Sequence, residues 1–205
     1  MTDVRVIVGP GVVADEVLLR EVAEREFARL GVVGSLVHVA DAARLRELLS
    51  AGTARVAIPG PEPEPRELIG EPADGVVWLD LHRCDGVQPG PGAGHLHGRG
   101  LDGLIWAIRH AVHRSLHEPR RIPYGTHPDQ WGELYLPDAP GPHPVVALVH
   151  GGYWRAIWGA DLMDALSVDL AGRGFAVWNL EYRRPDLHGW DATTGDLAAG
   201  LAALA

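Results

Sequence analysis

Short apolar runs alternate with helix-length amphipathic stretches along the first half of this chain, and that alternation leaves few folds open. Val4 to Val8 reads as a buried strand, followed by the turn Gly9-Pro10-Gly11. Residues 14–30 carry the period of an amphipathic helix with Val17, Leu18, Val22 and Phe27 on its apolar side, ended by Gly31. Leu36 to Ala40 is a second strand, and Asp41 is placed to cap a helix over 42–51. Arg55 to Ile58 and Val76 to Leu81 are the next two strands. Between them, Pro59-Gly60-Pro61-Glu62-Pro63-Glu64-Pro65 predicts an extended loop, because each proline removes a donor and restricts its neighbour. Gln88 to Gly94 predicts another loop. A short strand at His95 to His97 then leads into a helix from Leu101 to about Leu116. Strands alternating with helices cover both faces of a parallel sheet, so residues 1–117 are expected to form a flavodoxin-like α/β domain.

The pattern changes after that. Glu118-Pro119-Arg120-Arg121-Ile122-Pro123 reads as a linker over 118–123, and residues 124–205 as a second unit. Trp131 to Leu136 alternates like a half-exposed antiparallel strand, and Pro137 to Pro142 makes a turn. Val145 to Val149 predicts a buried strand, 160–171 a helix, Phe175 to Leu180 a strand and 193–204 a helix.

Charge narrows the partners. The 205 residues hold 27 acidic side chains against 18 Lys and Arg, a formal charge of −9. That balance argues against nucleic acid and against a basic membrane-surface protein. A single cysteine, Cys84, excludes an internal disulfide and fits a reducing compartment. The start shows no basic segment followed by an apolar one, and no apolar stretch approaches the roughly 18 residues a bilayer needs. The expectation is a cytoplasmic protein acting on a small molecule, with no membrane, cofactor or metal requirement. Nothing in the composition fixes its oligomeric state.

Chemistry is most visible at His150-Gly151-Gly152-Tyr153-Trp154, directly after the strand Val145–Val149. Acyl-transfer hydrolysis puts negative charge on a former carbonyl oxygen, which preorganised N–H donors stabilise. Glycines after a strand let backbone N–H groups face a substrate without side-chain obstruction. Gly151, Gly152 and Tyr153 are therefore the candidate donors, with His150 supporting the loop. Trp154 is the candidate wall of a substrate pocket. Trp158 lies beside the same loop, while Trp106 and Trp178 fit a core as well as a pocket. A Gly-Gly pair alone is also how an ordinary turn is made.

The surrounding segments add to the motif. Tyr124-Gly125, Pro128-x-Gln130, Leu134-Tyr135-x-Pro137, His150 to Trp154 and Asn179-x-Glu181-Tyr182-Arg183 follow in that order. Together they resemble the opening third of an α/β-hydrolase of the kynurenine formamidase and carboxylesterase type. The resemblance implies an incomplete α/β-hydrolase sheet over residues 124–205 and a small ester or amide as substrate. It also implies a Gly-x-Ser-x-Gly elbow on the next strand. The serines here are Ser35, Ser50, Ser115 and Ser167, and none is flanked by glycines at −2 and +2. Serine, acid and base would all lie past Ala205 in that fold. The chain as written is therefore expected to be inactive as a hydrolase.

The first domain carries its own constellation. Gly98-x-Gly100-x-x-Gly103-x-x-x-Ala107-x-Arg109 opens its last helix, and Gly9-Pro10 follows its first strand. These segments resemble a type II 3-dehydroquinate dehydratase. The resemblance implies a lyase acting on a cyclic 3-dehydro acid, with His97 (or His95) and Arg99 as vestigial site residues. The sequence departs from that family where Asn-Gly-Pro-Asn-Leu-Asn becomes Val8-Gly9-Pro10-Gly11-Val12-Val13, and no tyrosine precedes Tyr124. Dehydration needs both a base and an acid. With the tyrosine gone one role lacks a candidate, so the domain is expected to be catalytically degenerate, or a non-catalytic interaction module.

Three further patterns are weaker. Gly98-x-Gly100-x-x-Gly103 matches a dinucleotide fingerprint, but that fingerprint needs an acidic residue ending a strand about 20 residues on, where Pro119 to Pro123 stand. His110, His113 and His117 share a helix face and could ligate a metal. With no Cys or carboxylate beside them, they read as surface histidines. Cys84 has no base nearby in sequence and reads as an inert thiol.

Overall fold

The computed structural model describes residues 3–50 and 54–204, so Ala51, the last residue expected in the second helix, lies outside it. Two compact units adjoin in sequence between Leu116 and His117. The first runs β1 (Asp3–Val8), α1 (Glu16–Leu30), β2 (Val33–His38), α2 (Ala42–Leu49), β3 (Ala54–Ile58) and α3 (Pro63–Glu67). A 3-10 turn at Leu68–Gly70, β4 (Val76–Asp80), β5 (Gly94–His97) and α4 (Asp102–Leu116) complete it. All strand pairs are parallel, in the order β2-β1-β3-β4-β5. This is the flavodoxin-like architecture.

Strand periodicity explains the two faces. Val4, Val6 and Val8 point with Val56, Val77 and Leu79 towards α1 and α4, while Ile7, Ala57, Val76 and Trp78 point towards Leu45, Leu68 and Ile69. Each fully buried aliphatic side chain contributes roughly 1.5–3 kcal/mol. Every residue of β3 and β4 is buried, so the site-bearing end of β4 rests on the best-packed part of the unit.

Four expectations for this unit are corrected. In α1, Val17 and Leu18 are exposed and the buried stripe is Leu19, Val22, Ala23, Glu26 and Phe27. Arg109 binds Glu26 at 2.6 and 3.3 Å, which lets a carboxylate occupy the inner face. β2 begins at Val33 and ends at His38, two residues short of Ala40; Gly34 extends it because a Cβ there would lie 2.2 Å from the Phe27 ring. The proline-rich loop is helical from Pro63, whose fixed φ suits the first turn of a helix. His110 is buried rather than on the surface, with its ring against Gly94; His113 is half-buried and His117 exposed.

The second unit runs β6 (Arg120–Pro123), β7 (Trp131–Tyr135), β8 (Val145–Val149), a 3-10 turn at Ala160–Met163 and α5 (Asp164–Gly172). It continues with β9 (Ala176–Leu180), α6 (Pro185–His188) and α7 (Trp190–Ala202). Its sheet is mixed, in the order β6-β7-β9-β8, with β7 antiparallel to both neighbours and β8 parallel to β9.

Part of the expected linker is thus the edge strand β6, where Pro123 is tolerated. Arg121 anchors it, bonding Glu133 at 2.9 Å and lying over the Trp131 ring at 3.7 Å. That pairing also buries Glu133 to 1 % exposure, so β7 is not half-exposed. β8 departs in the opposite sense. It is an edge strand, with Val145 55 % and Val149 45 % exposed, whereas β9 is buried throughout. Among the described residues no helix is long and apolar enough to cross a membrane.

Candidate functional site

Open α/β sheets bind ligands beyond the carboxyl ends of their strands, where the strand order reverses. In the first unit that point lies between β1 and β3, and backbone fills it. Gly9 N–H donates to Ile58 O at 2.8 Å. A Cβ on Gly9 would lie 2.5 Å from Pro59 O, and one on Gly60 (φ 78°) 2.2 Å from Pro10 O. The polar cluster stands one strand further along, at the ends of β4 and β5.

Asp80, the last residue of β4, is its centre. Arg66 from α3 grips its carboxylate at 2.6 and 3.0 Å, and His95 Nε2 lies 2.9 Å from its Oδ2. Burial would raise the Asp80 carboxyl, but His95 and Arg66 hold it well below the usual carboxylate range. His97 stacks on His95, with ring centroids 5.4 Å apart and planes within 6°. Its Nδ1 accepts from Cys84 N–H at 3.0 Å. Burial, then the charge of His95, depresses the His97 pKa to about 4, so the ring is neutral at pH 7 with its proton on Nε2. Arg99 is buried and its charge lowers the same pKa.

Two members of this cluster, Asp80 and Arg66, were not legible as site residues. The signal for Asp80 was an acid ending an apolar strand; Arg66 was masked by a segment that looked like loop. Cys84 does have an acid beside it, namely Asp80. Burial and that carboxylate push the thiol pKa up, so the thiol stays protonated.

The second unit places His150 at the end of β8, with its ring fully buried. Gly152 (φ 123°), Tyr153 (φ 54°) and Trp154 (φ 61°) follow with positive φ, the last two in a region costly to residues with a Cβ. Among the described residues none accepts a hydrogen bond from the N–H of Gly151, Gly152 or Tyr153. The loop is tied from behind: Ala156 N–H reaches both Asp186 oxygens at 3.0 and 3.1 Å, and Ala160 N–H reaches Glu181 Oε2 at 3.0 Å. Trp154 is half exposed and meets Trp190 edge to face at 4.9 Å. Trp178 is core, its Nε1 donating to Gly200 O.

Four of the five segments that carry the hydrolase resemblance are joined by hydrogen bonds; Tyr135 instead faces Glu133 and Asp164. Tyr124 Oη donates to Glu181 O at 2.7 Å and Tyr182 Oη to His150 O at 2.7 Å. Glu181 Oε1 lies 3.1 Å from His150 Nε2, and Gln130 and Arg183 converge on Asp196 at 2.6 to 3.0 Å. Among the described residues no group of three or more His, Cys, Asp or Glu is arranged to hold a metal.

No family model matches the chain, and no curated protein matches it. Solved structures similar to just over half of the chain include two of different kinds. One is a 3-dehydroquinate dehydratase-like protein from Bifidobacterium longum, 17% identical over 55% of this chain and 97% of that one, with a TM-score of 0.42. The other is RecJ in complex with Mn2+ from Thermus thermophilus, 21% identical over 54% of this chain and 20% of that one, with a TM-score of 0.32. Likenesses of that size decide no chemistry. The geometry has to.

Proposed function

We propose that the first unit is a dehydratase-like lyase whose base is the Asp80–His95 pair and whose electrophile is His97. The stacked histidines carry this reading. Asp80 is ionised and takes Nε2–H of His95, which leaves the other ring nitrogen, Nδ1, as the basic atom of the pair. Neutral His97, its Nδ1 occupied by Cys84 N–H, offers Nε2–H as a donor. Enolisation uses that combination: a base for the proton next to a carbonyl and a neutral imidazole polarising the carbonyl oxygen. His95 takes the α-proton, the electron pair forms the double bond, and the β-hydroxyl leaves as water with the proton from His95. The missing tyrosine is thereby replaced as base. A cyclic 3-dehydro acid fits, with Arg99 beside His97 for its carboxylate. Incubation with 3-dehydroquinate should generate enone absorbance that His95→Asn and His97→Asn abolish; no absorbance from the wild-type protein refutes the proposal.

A second reading, an oxyanion platform for a small ester or amide in the second unit, is favoured by the unpartnered N–H groups of Gly151, Gly152 and Tyr153, with Trp154 as wall. Phenylphosphonate, a soluble tetrahedral oxyanion, should shift those three amide resonances. Unmoved amides at saturating probe would refute it.

A further inference from the structure

His150 opens the loop that carries the unpartnered N–H groups, and both of its ring nitrogens face acceptors. His150 Nδ1 is 2.7 Å from Gly151 O and its Nε2 is 3.1 Å from Glu181 Oε1. Burial would raise the Glu181 carboxyl, yet Arg184 and His150 beside it hold it well below the usual carboxylate range, so it is ionised. A carbonyl and a carboxylate only accept hydrogen bonds. A neutral imidazole has one N–H and would have to aim a lone pair at one of these acceptors inside a buried site.

We infer that His150 is a doubly protonated imidazolium, clamped between Gly151 O and Glu181, that fixes a full positive charge at the start of the loop Gly151 to Tyr153. Its surroundings agree. Glu181 shares the buried guanidinium of Arg184 with Asp129, and the imidazolium sets a second cation against Glu181. The Tyr182 ring stacks on His150 at 4.5 Å, where an aromatic face favours a cation. Arg183 is already paired with Asp196. In this role His150 and Glu181 are positioning residues: they set the charge and the course of the loop without touching substrate. The catalytic consequence rests on the oxyanion reading above; the charge state does not.

Ring-nitrogen NMR of the full chain, labelled with 15N-histidine at neutral pH and assigned with His150→Gln, tests this. Both His150 nitrogens should resonate as protonated. Glu181→Gln, which places an amide against Nε2, should return the ring to a single neutral tautomer, whereas Tyr182→Phe should leave it charged. One unprotonated nitrogen in the wild-type spectrum overturns the inference, and that spectrum decides even if the Glu181 variant fails to fold. A charged His150 with loop amides unmoved by phenylphosphonate would sustain the charge state and remove the oxyanion reading alone.

Discussion

His95 Nε2 lies 2.9 Å from Asp80 Oδ2, while Arg66 holds the same carboxylate from the other side through two hydrogen bonds. A strand end, a neighbouring strand and a helix thus meet at one carboxylate. Asp80→Asn leaves Arg66 with a neutral partner and His95 without its acceptor. The expected cost is about 3 kcal/mol in urea unfolding, the range for breaking a buried pair. Because the folded Asp80 pKa is depressed, its stabilisation is complete above the unfolded value of about 3.9. It is lost only as pH falls below the ordinary carboxylate range, and the variant should flatten that acid limb.

His97 predicts a second window. Its folded pKa of about 4 lies below the ordinary histidine value of 6.5, so the unfolded chain binds more protons between those values. Stability from this group therefore rises with pH from about 4 to 6.5 and is lost as pH falls through it. His97→Asn should shallow that slope in unfolding measured at several pH values, and the His97 ring should stay neutral by NMR down to about pH 4.

Gly152 cannot carry a side chain. Its φ is 123°, and a Cβ would stand 2.3 Å from Trp158 Cβ. Gly152→Ala should cost about 2–3 kcal/mol, the scale of one strained backbone residue. It should also displace the amide resonances of Gly151 and Tyr153 more than those of the β4–β5 cluster.

β8 predicts self-association. An apolar edge strand with Val145 and Val149 exposed offers unpaired backbone to another chain. Val145→Lys should lower concentration-dependent aggregation seen by light scattering. In limited proteolysis, residues 117–205 should be degraded before residues 3–116.

Much of the first unit was legible because its determinants are local. Val4–Val8 and Val76–Leu81 are apolar runs broken only by Arg5 and Asp80, Asp41 caps α2 through Arg44 N–H at 2.8 Å, and Gly31 ends α1 with φ 65°. What escaped depends on partners distant in sequence. Glu26 is buried because Arg109 reaches it, and β6 exists because Arg121 reaches Glu133. The exposure of β8 follows from its place in the strand order, which no window of sequence contains. The site divides the same way. The His150–Trp154 loop and His97 announce themselves by residue type, whereas Arg66 and Asp80 become partners only once α3 folds.

His95 acting as a base is the central claim, and proton exchange reads that step without requiring turnover. In deuterated buffer the wild-type chain should exchange the α-protons of 3-dehydroquinate for deuterium, followed by proton NMR, with exchange lost in His95→Asn and strongly slowed in Asp80→Asn. Exchange at the buffer rate with the wild-type protein, or undiminished exchange in His95→Asn, would contradict it.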